Sequence, residues 1–316
     1  MTDLPPPPPP NRLRQFLHGA REALRARWVR GPVSLGIFEF VSFGIKQAWA
    51  CLFGGAMLGL LLLTHFFYPE GVALSRYDFL VLAALALQVA LLVSGLETLE
   101  EARVILVFHI VGTIMELFKT AHGSWIYPEH SYLRIGAVPL FSGFMYAAVG
   151  SYLARVWRIF EFRFTHFPPL WAQGLLAAAI YVNFFAHHWL PDVRLALFAV
   201  TAILYLRTVV RFRPDRVHRP MPLLVGFFLV AMFIWFAENL GTFARAWSYP
   251  GQEGVWQMVS FSKLGSWYLL MIISFVLVAT VHRAPGGKTN ADHESPRGEP
   301  GRDRRPHLPD LPPAGD

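Results

Sequence analysis

The stretch "VILVFHIVGTIMELFKTAHGSWIYP" (Val104–Pro128) decides how this chain is read. It opens as an apolar run and then carries Glu116, where a lipid-spanning helix should hold no charge. Apolar runs of about 20 residues match the roughly 30 Å of a bilayer's hydrocarbon core, and such runs recur along the chain. Of the 316 residues 54% are hydrophobic, 15% aromatic and only 16% charged, where a soluble domain carries about 25% charged residues. The expected fold is all-α: a polytopic membrane helix bundle of about eight spans. They fall at Gln47–Phe67, Tyr77–Gly95, Glu101–Thr120, Pro139–Val156, Pro169–Leu190, Asp192–Thr208, Met221–Phe243 and Ser262–His282.

The distribution of lysine and arginine supports that count. With both termini in the cytoplasm, 22 of the 28 basic residues fall on the inner side and 6 on the outer side. This is the bias that orients membrane helices. The net charge of +7 is thereby accounted for by topology, and nucleic acid is not an expected partner. The expected location is a cell membrane, with both termini cytoplasmic and membrane lipids as neighbours.

Outside the bundle, residues 1–10 are a proline-rich lead. Residues 11–36 contain Leu13, Phe16, Leu17, Leu24 and Trp28 near one helix face, with six arginines around the rest. That pattern reads as a basic helix lying in the membrane surface. About 30 residues precede the first apolar run, so no cleavable signal is expected. Residues 284–316 are polar and rich in Pro and Gly, a composition that cannot bury a core. The single Cys51 excludes internal disulfides and cysteine-based metal sites.

The opening stretch has an echo. "ELFKTAHGSWIYP" (Glu116–Pro128) and "ENLGTFARAWSYP" (Glu238–Pro250) share Glu, Thr, Trp, Tyr and Pro at an offset of 122 residues. The same offset superposes Ile37–Phe40 on Ile159–Phe162, Trp49 on Trp171, His65 on His187 and Pro69 on Pro191. The expectation is a tandem duplication, residues 37–158 and 159–283. Each copy would be a four-helix unit, and an even number of spans per unit makes the repeats parallel.

This arrangement brings Glu116, Glu238, His65 and His187 to the outer ends of their spans as candidate catalytic residues. His109 lies on the helix face of Glu116 at i−7, and Lys119 at i+3 is placed to pair with Glu116. Trp125, Tyr127, Trp247 and Tyr249 follow the two glutamates at fixed spacing and are candidate substrate-binding residues, though aromatic belts also occur at membrane interfaces. Ionisable groups inside a span cost about 2.5–3.5 kcal/mol on insertion scales, which makes them functional candidates. No His-x-x-x-His or Glu-x-x-His pair sets up a metal site, and no cofactor is implied. Glu97, Glu100 and Glu101 read as a solvated acidic loop, and Glu39 and Glu161 as structural.

Three blocks resemble a known family: "FEFVSFGIKQAWACLFG" (Phe38–Gly54), "ETLEEARVILVFHIVGTIMELFKTAHGSWIYPE" (Glu97–Glu129) and "YPGQEGVWQMVSFSKLGSWYLL" (Tyr249–Leu270). They look like the YoaT-like bacterial integral membrane proteins, domain-of-unknown-function family 817. That resemblance implies a multi-span bacterial protein of the inner membrane and supplies no activity. "GTIMELFKTAHGSWIYP" (Gly112–Pro128) also looks similar to segments of the membrane carotenoid cyclases and hydratases, although their adjacent carboxylate pair is absent here. This second likeness implies an intramembrane acid/base enzyme acting on an isoprenoid or other lipid. A transporter or sensor for a small solute, cation or proton, and a structural or assembly protein, remain open beside it.

Overall fold

The computed structural model describes residues 12–186, 189–252 and 254–282. Helix α1 (Arg12–Trp28) is followed by α2 (Pro32–Ala50), α3 (Leu52–Phe67), α4 (Arg76–Val93) and α5 (Leu99–Ala121). The short strands β1 (Arg134–Ile135) and β2 (Val138–Pro139) lead into α6 (Phe141–Phe160), and β3 (Arg163–Thr165) leads to α7 (Leu170–Ala186) and α8 (Arg194–Tyr205). Strands β4 (Val209–Phe212) and β5 (Arg219–Pro222) precede α9 (Leu223–Phe243) and α10 (Phe261–His282).

Helices stand at all eight expected positions, yet they differ from the expected spans in length. Among the described residues, four helices (α4, α5, α9 and α10) are long and apolar enough to cross a membrane, and the bent pair α2 plus α3 would make a fifth. Helix α8 has 12 residues, which at 1.5 Å per residue is about 18 Å, well short of a bilayer core. The four long spans bury only 28–44% of their windows. Apolar side chains such as Leu85, Ile110 and Ile203 are exposed, as the hydrocarbon of a bilayer requires.

The span expected at Gln47–Phe67 is broken at Cys51, where α2 and α3 meet at 68°. No proline marks the break. A side chain from another helix meets it there: Arg155 Nη1 donates to the Trp49 carbonyl at 3.3 Å, satisfying an acceptor of the kind a helix end leaves open. The fold is mostly helical, as expected, and adds a small three-stranded antiparallel sheet, β3–β4–β5, and the β1–β2 ribbon. The sheet lay hidden in an arginine- and proline-rich loop. Pro220 and Pro222 lie in β5, the edge strand, where a missing N–H can be tolerated.

Helix α6 is the axis of the bundle. It packs along α5 and touches α2, α3, α4 and α10. Glycines permit the close approach to α5: Gly143 lies against the His109 ring and Gly150 against Phe108. One core gathers α5–α10 around Phe227, Ile272 and Tyr205, and another gathers α3, α4 and α6 around Phe53, Tyr77 and Phe141.

Glu97 and Glu101 are buried, not solvated. Glu97 accepts from Arg155 Nη2 at 3.2 Å, from Ser151 Oγ at 3.1 Å and from Gln88 Nε2. Glu101 closes a capping box with Thr98 at the start of α5 and pairs with Arg158 at 3.0 Å. Glu39 pairs with Arg219, and Glu161 with Arg213. The polar side of α1 docks through Arg21 and Arg25 onto Asp215.

These pairs are unequal. Replacing Arg155 with alanine strands a buried Glu97 carboxylate and should cost about 3–5 kcal/mol. Losing the exposed Arg216–Glu22 pair should cost less than about 1 kcal/mol. Thermal unfolding of R155A and R216A in detergent checks the order, with R155A far the less stable.

Candidate functional site: two clamped carboxylates on one cavity

Glu116 sits in the penultimate turn of α5 and Glu238 in the corresponding part of α9, 4% and 3% exposed. A buried carboxylate must find hydrogen-bond donors or a counter-charge, and both find aromatic donors. Trp125 Nε1 and the Tyr127 hydroxyl donate to Glu116 Oε2, each at 2.7 Å, and the Tyr146 hydroxyl donates to Oε1 at 2.8 Å. The Tyr249 hydroxyl donates to Glu238 Oε1 and Trp267 Nε1 to Oε2.

Local turns place these donors. Helix α5 ends in a left-handed residue, Gly123 (φ 67°), with Gly123 N donating to the Thr120 carbonyl and Ser124 N to that of Lys119. Helix α9 ends in the same way: Arg245 (φ 53°) N donates to Thr242 and Ala246 N to Gly241. The two turns match at the 122-residue offset. Each folds the following Trp-x-Tyr segment back onto its glutamate. The two segments then join, because Ile126 and Ser248 exchange both backbone hydrogen bonds at 2.9 Å as an antiparallel bridge.

Ring contacts link the clamps. Trp125, bound to Glu116, meets the Tyr249 ring at 6.1 Å, and Tyr146 meets Trp267 at 6.5 Å. Gly112 lies one turn before Glu116 and leaves room for the Tyr146 ring against the α5 backbone. Burial and then the neighbouring carboxylate push the Tyr127 hydroxyl far above the usual tyrosine range, and the same holds for Tyr249 beside Glu238. Both hydroxyls therefore stay donors throughout the physiological pH range.

Glu116, Glu238, Lys119, Trp125, Tyr127, Trp247 and Tyr249 all line one cavity of about 1220 Å³. The remaining candidates do not. His65 packs on Phe66 and Phe243 at the end of α3. His109 lies two turns below Glu116 against the Phe144 ring at 4.7 Å. His187 lies outside the described residues. The expected Glu116–Lys119 ion pair is corrected as well: the aromatic donors occupy the carboxylate, and Lys119 lies 4.3 Å over the Phe184 ring. Trp247 packs against Gly241 without reaching Glu238, and Trp267 of α10 takes that donor role.

Tyr146 and Trp267 were not singled out from the sequence, nor were Lys263 and Arg194, which also line the cavity. The one signal for the first two was an aromatic residue near the same place in α6 and α10. Among the described residues no three His, Cys, Asp or Glu side chains gather as a metal ion needs.

Fold and site together define a multi-helix membrane protein with a carboxylate pair on one cavity. The chain belongs to the DUF817 family of proteins of unknown function, whose model matches residues 39–275. It is 42% identical over 245 residues to the uncharacterized protein YoaT of Bacillus subtilis (strain 168), covering 78% of this chain and 92% of that one. No solved structure matches the chain, and neither comparison adds support to the likeness with carotenoid cyclases.

Tyr146→Phe removes one of three donors to a buried carboxylate and should cost about 1–3 kcal/mol. Gly112→Ala should destabilise in the same direction by pushing the Tyr146 ring off Glu116. Unfolding temperatures of both variants, set against the exposed Tyr132→Phe, check this: the first two fall and the third holds.

Proposed function

We propose that the protein takes a lipid-like amphiphile from the bilayer into the cavity and holds its polar end beside Glu116 and Glu238. One observation carries this reading. Both carboxylates, from helices far apart in sequence, line a single cavity whose other walls include Phe40, Leu58, Val149, Phe227 and Leu270. Ligand sites are concave and mainly apolar, with a few convergent polar groups, and usually span about 300–1,000 Å³. A cavity of about 1220 Å³ suits a molecule with a long hydrocarbon part.

The same reading takes the chain as two parallel four-helix repeats making eight crossings, in a bacterial inner membrane with both termini cytoplasmic. Support comes from the matched order of α3–α6 and α7–α10, from the equivalent turns after α5 and α9, and from the Ile126–Ser248 bridge. Helices α7 and α8 are short, so the count rests on the repeat and not on length. Helix α1 lies in the membrane surface, a placement supported by the exposed Leu24 and Trp28.

An acid/base enzyme acting on the bound isoprenoid or other lipid is the second reading. The hydrogen-bonded tyrosine–glutamate sets favour it, because they put protons and carboxylates on the cavity wall where general acid–base chemistry needs them. One carboxyl, in its protonated form, would give its proton to a carbon–carbon double bond, and the faces of Trp125, Tyr127, Trp247 and Tyr249 would stabilise the resulting cation. Ring closure or addition of water, with return of a proton to the carboxylate, would end the reaction. A carrier would use the same cavity and leave its cargo unchanged.

Lipid extracts and purified protein separate these readings. The E116Q/E238Q double variant, whose aromatic clamps lose their charge-assisted hydrogen bonds and with them the shape of the cavity's polar end, should lose an amphiphile that co-purifies with the wild type. If the protein is an enzyme, cells bearing that variant should also lose a lipid product and accumulate its precursor. Wild-type protein that carries only the lipids found around an unrelated helical membrane protein would overturn the proposal.

A further inference from the structure

We propose that the polar end of the cavity recognises an anionic head group, a carboxylate or phosphate carried on a hydrocarbon chain, through Lys119, Lys263 and Arg194. The proposal rests on the amphiphile reading and names the ligand class that the site would take. It begins from which polar groups on the cavity are already satisfied. Glu116 holds three donors and Glu238 two. Asp192 pairs with Arg194 at 2.7 Å and accepts from Asn183 at 3.1 Å.

Lys263 is different. Its ammonium lies 4.1 Å from the Tyr249 ring centroid and 5.7 Å from that of Trp125, and among the described residues it reaches no hydrogen-bond acceptor. Glu238 attracts it from beyond hydrogen-bond distance. An ammonium carries three donors, and ring faces hold its charge without supplying an oxygen. Lys119 lines the cavity from α5, and Arg194 lines it from the first residue of α8 with a 3.4 Å hydrogen bond to Ser266.

The three cations are close enough to feel one another's charge, a repulsion that a bound anion would relieve. The start of α10 adds to this. Ser262, Lys263 and Ser266 line the cavity there, and the first turn has no acidic residue. A helix N-terminus presents free N–H groups and partial positive charge to an anion. An organic cation fits less well, because Lys263 already occupies the faces of Trp125 and Tyr249. The adjoining wall is apolar, so the anion and the hydrocarbon belong to one molecule.

The test measures the unfolding temperature of the full-length protein in a neutral detergent, titrated with dodecyl phosphate, dodecanol, dodecyltrimethylammonium or inorganic phosphate. Dodecyl phosphate should stabilise most. Its half-saturation concentration should rise about tenfold in Lys263→Gln and in Lys119→Gln, the loss of a charge-assisted hydrogen bond, while the dodecanol response stays unchanged. Lys263→Arg keeps the charge, controls for folding and should bind dodecyl phosphate as the wild type does. Equal stabilisation by dodecyltrimethylammonium, or glutamine variants that titrate like the wild type, would overturn the anion assignment. Inorganic phosphate acting as strongly as dodecyl phosphate would remove the hydrocarbon from the proposal. No response to any dodecyl compound would instead sink the amphiphile reading beneath it.

Discussion

A carboxylate buried among helices must be given donors, and at Glu116 and Glu238 those donors are aromatic. That requirement organises the whole end of the bundle. Tyr146 and Trp267 come from the helices beside α5 and α9, so their bonds tie α6 to α5 and α10 to α9. Trp125, Tyr127 and Tyr249 come from the loops, so their bonds pull each loop back over its own helix. Hydrogen bonds to a charged group contribute about 1.5–3 kcal/mol each. A missing donor would expose the full cost of burying the charge, and this makes the clamps mutually dependent.

Joining the two clamps has a further consequence. The Ile126–Ser248 bridge and the Trp125–Tyr249 contact hold the loops together across the bundle. Arg76 reinforces this from α4, pairing with Glu129 at 2.6 Å and donating to the Ala244 and Arg245 carbonyls. The cavity thus has a stiff polar rim at one end and side-chain walls of low polarity elsewhere. At the far end, ion pairs of Glu39, Glu161 and Asp215 with arginines tie the helices, α1 included, to the β4–β5 hairpin, and those of Glu97 and Glu101 tie the start of α5 to α6. Polar order at both ends with apolar packing between suits a molecule solvated by lipid around its middle.

The helix positions were legible because apolar runs and polar loops alternate at the scale of a bilayer. So was the recurrence of Glu, Trp and Tyr at one spacing, which singled out Glu116 and Glu238, the two carboxylates that line the cavity. Partner choice was not legible. Helical spacing put Lys119 beside Glu116, but the loop's fold-back brought better-placed donors, and a lysine at i+3 had no share left. His109 shares a face with Glu116, yet the close packing of Gly143 turns that part of the face into core. The α2–α3 break was invisible because no proline marks Cys51, and Arg155, which meets the Trp49 carbonyl there, lies more than 100 residues away. Glu97 and Glu101 looked solvated for the same reason: Arg155 and Arg158 lie more than 50 residues away.

The account stands on the two acid-bearing loops meeting over one cavity. Paired cysteines at Ile126 and Ser248, in a Cys51→Ser chain held in native membranes, test that meeting directly. Hydrogen-bonded antiparallel partners lie about 5.5 Å apart at Cα, within the range a disulfide accepts. The account predicts rapid intramolecular cross-linking of I126C/S248C under mild oxidation, seen as a mobility shift reversed by reductant. A chain whose two thiols both remain free to alkylation after oxidation would contradict it.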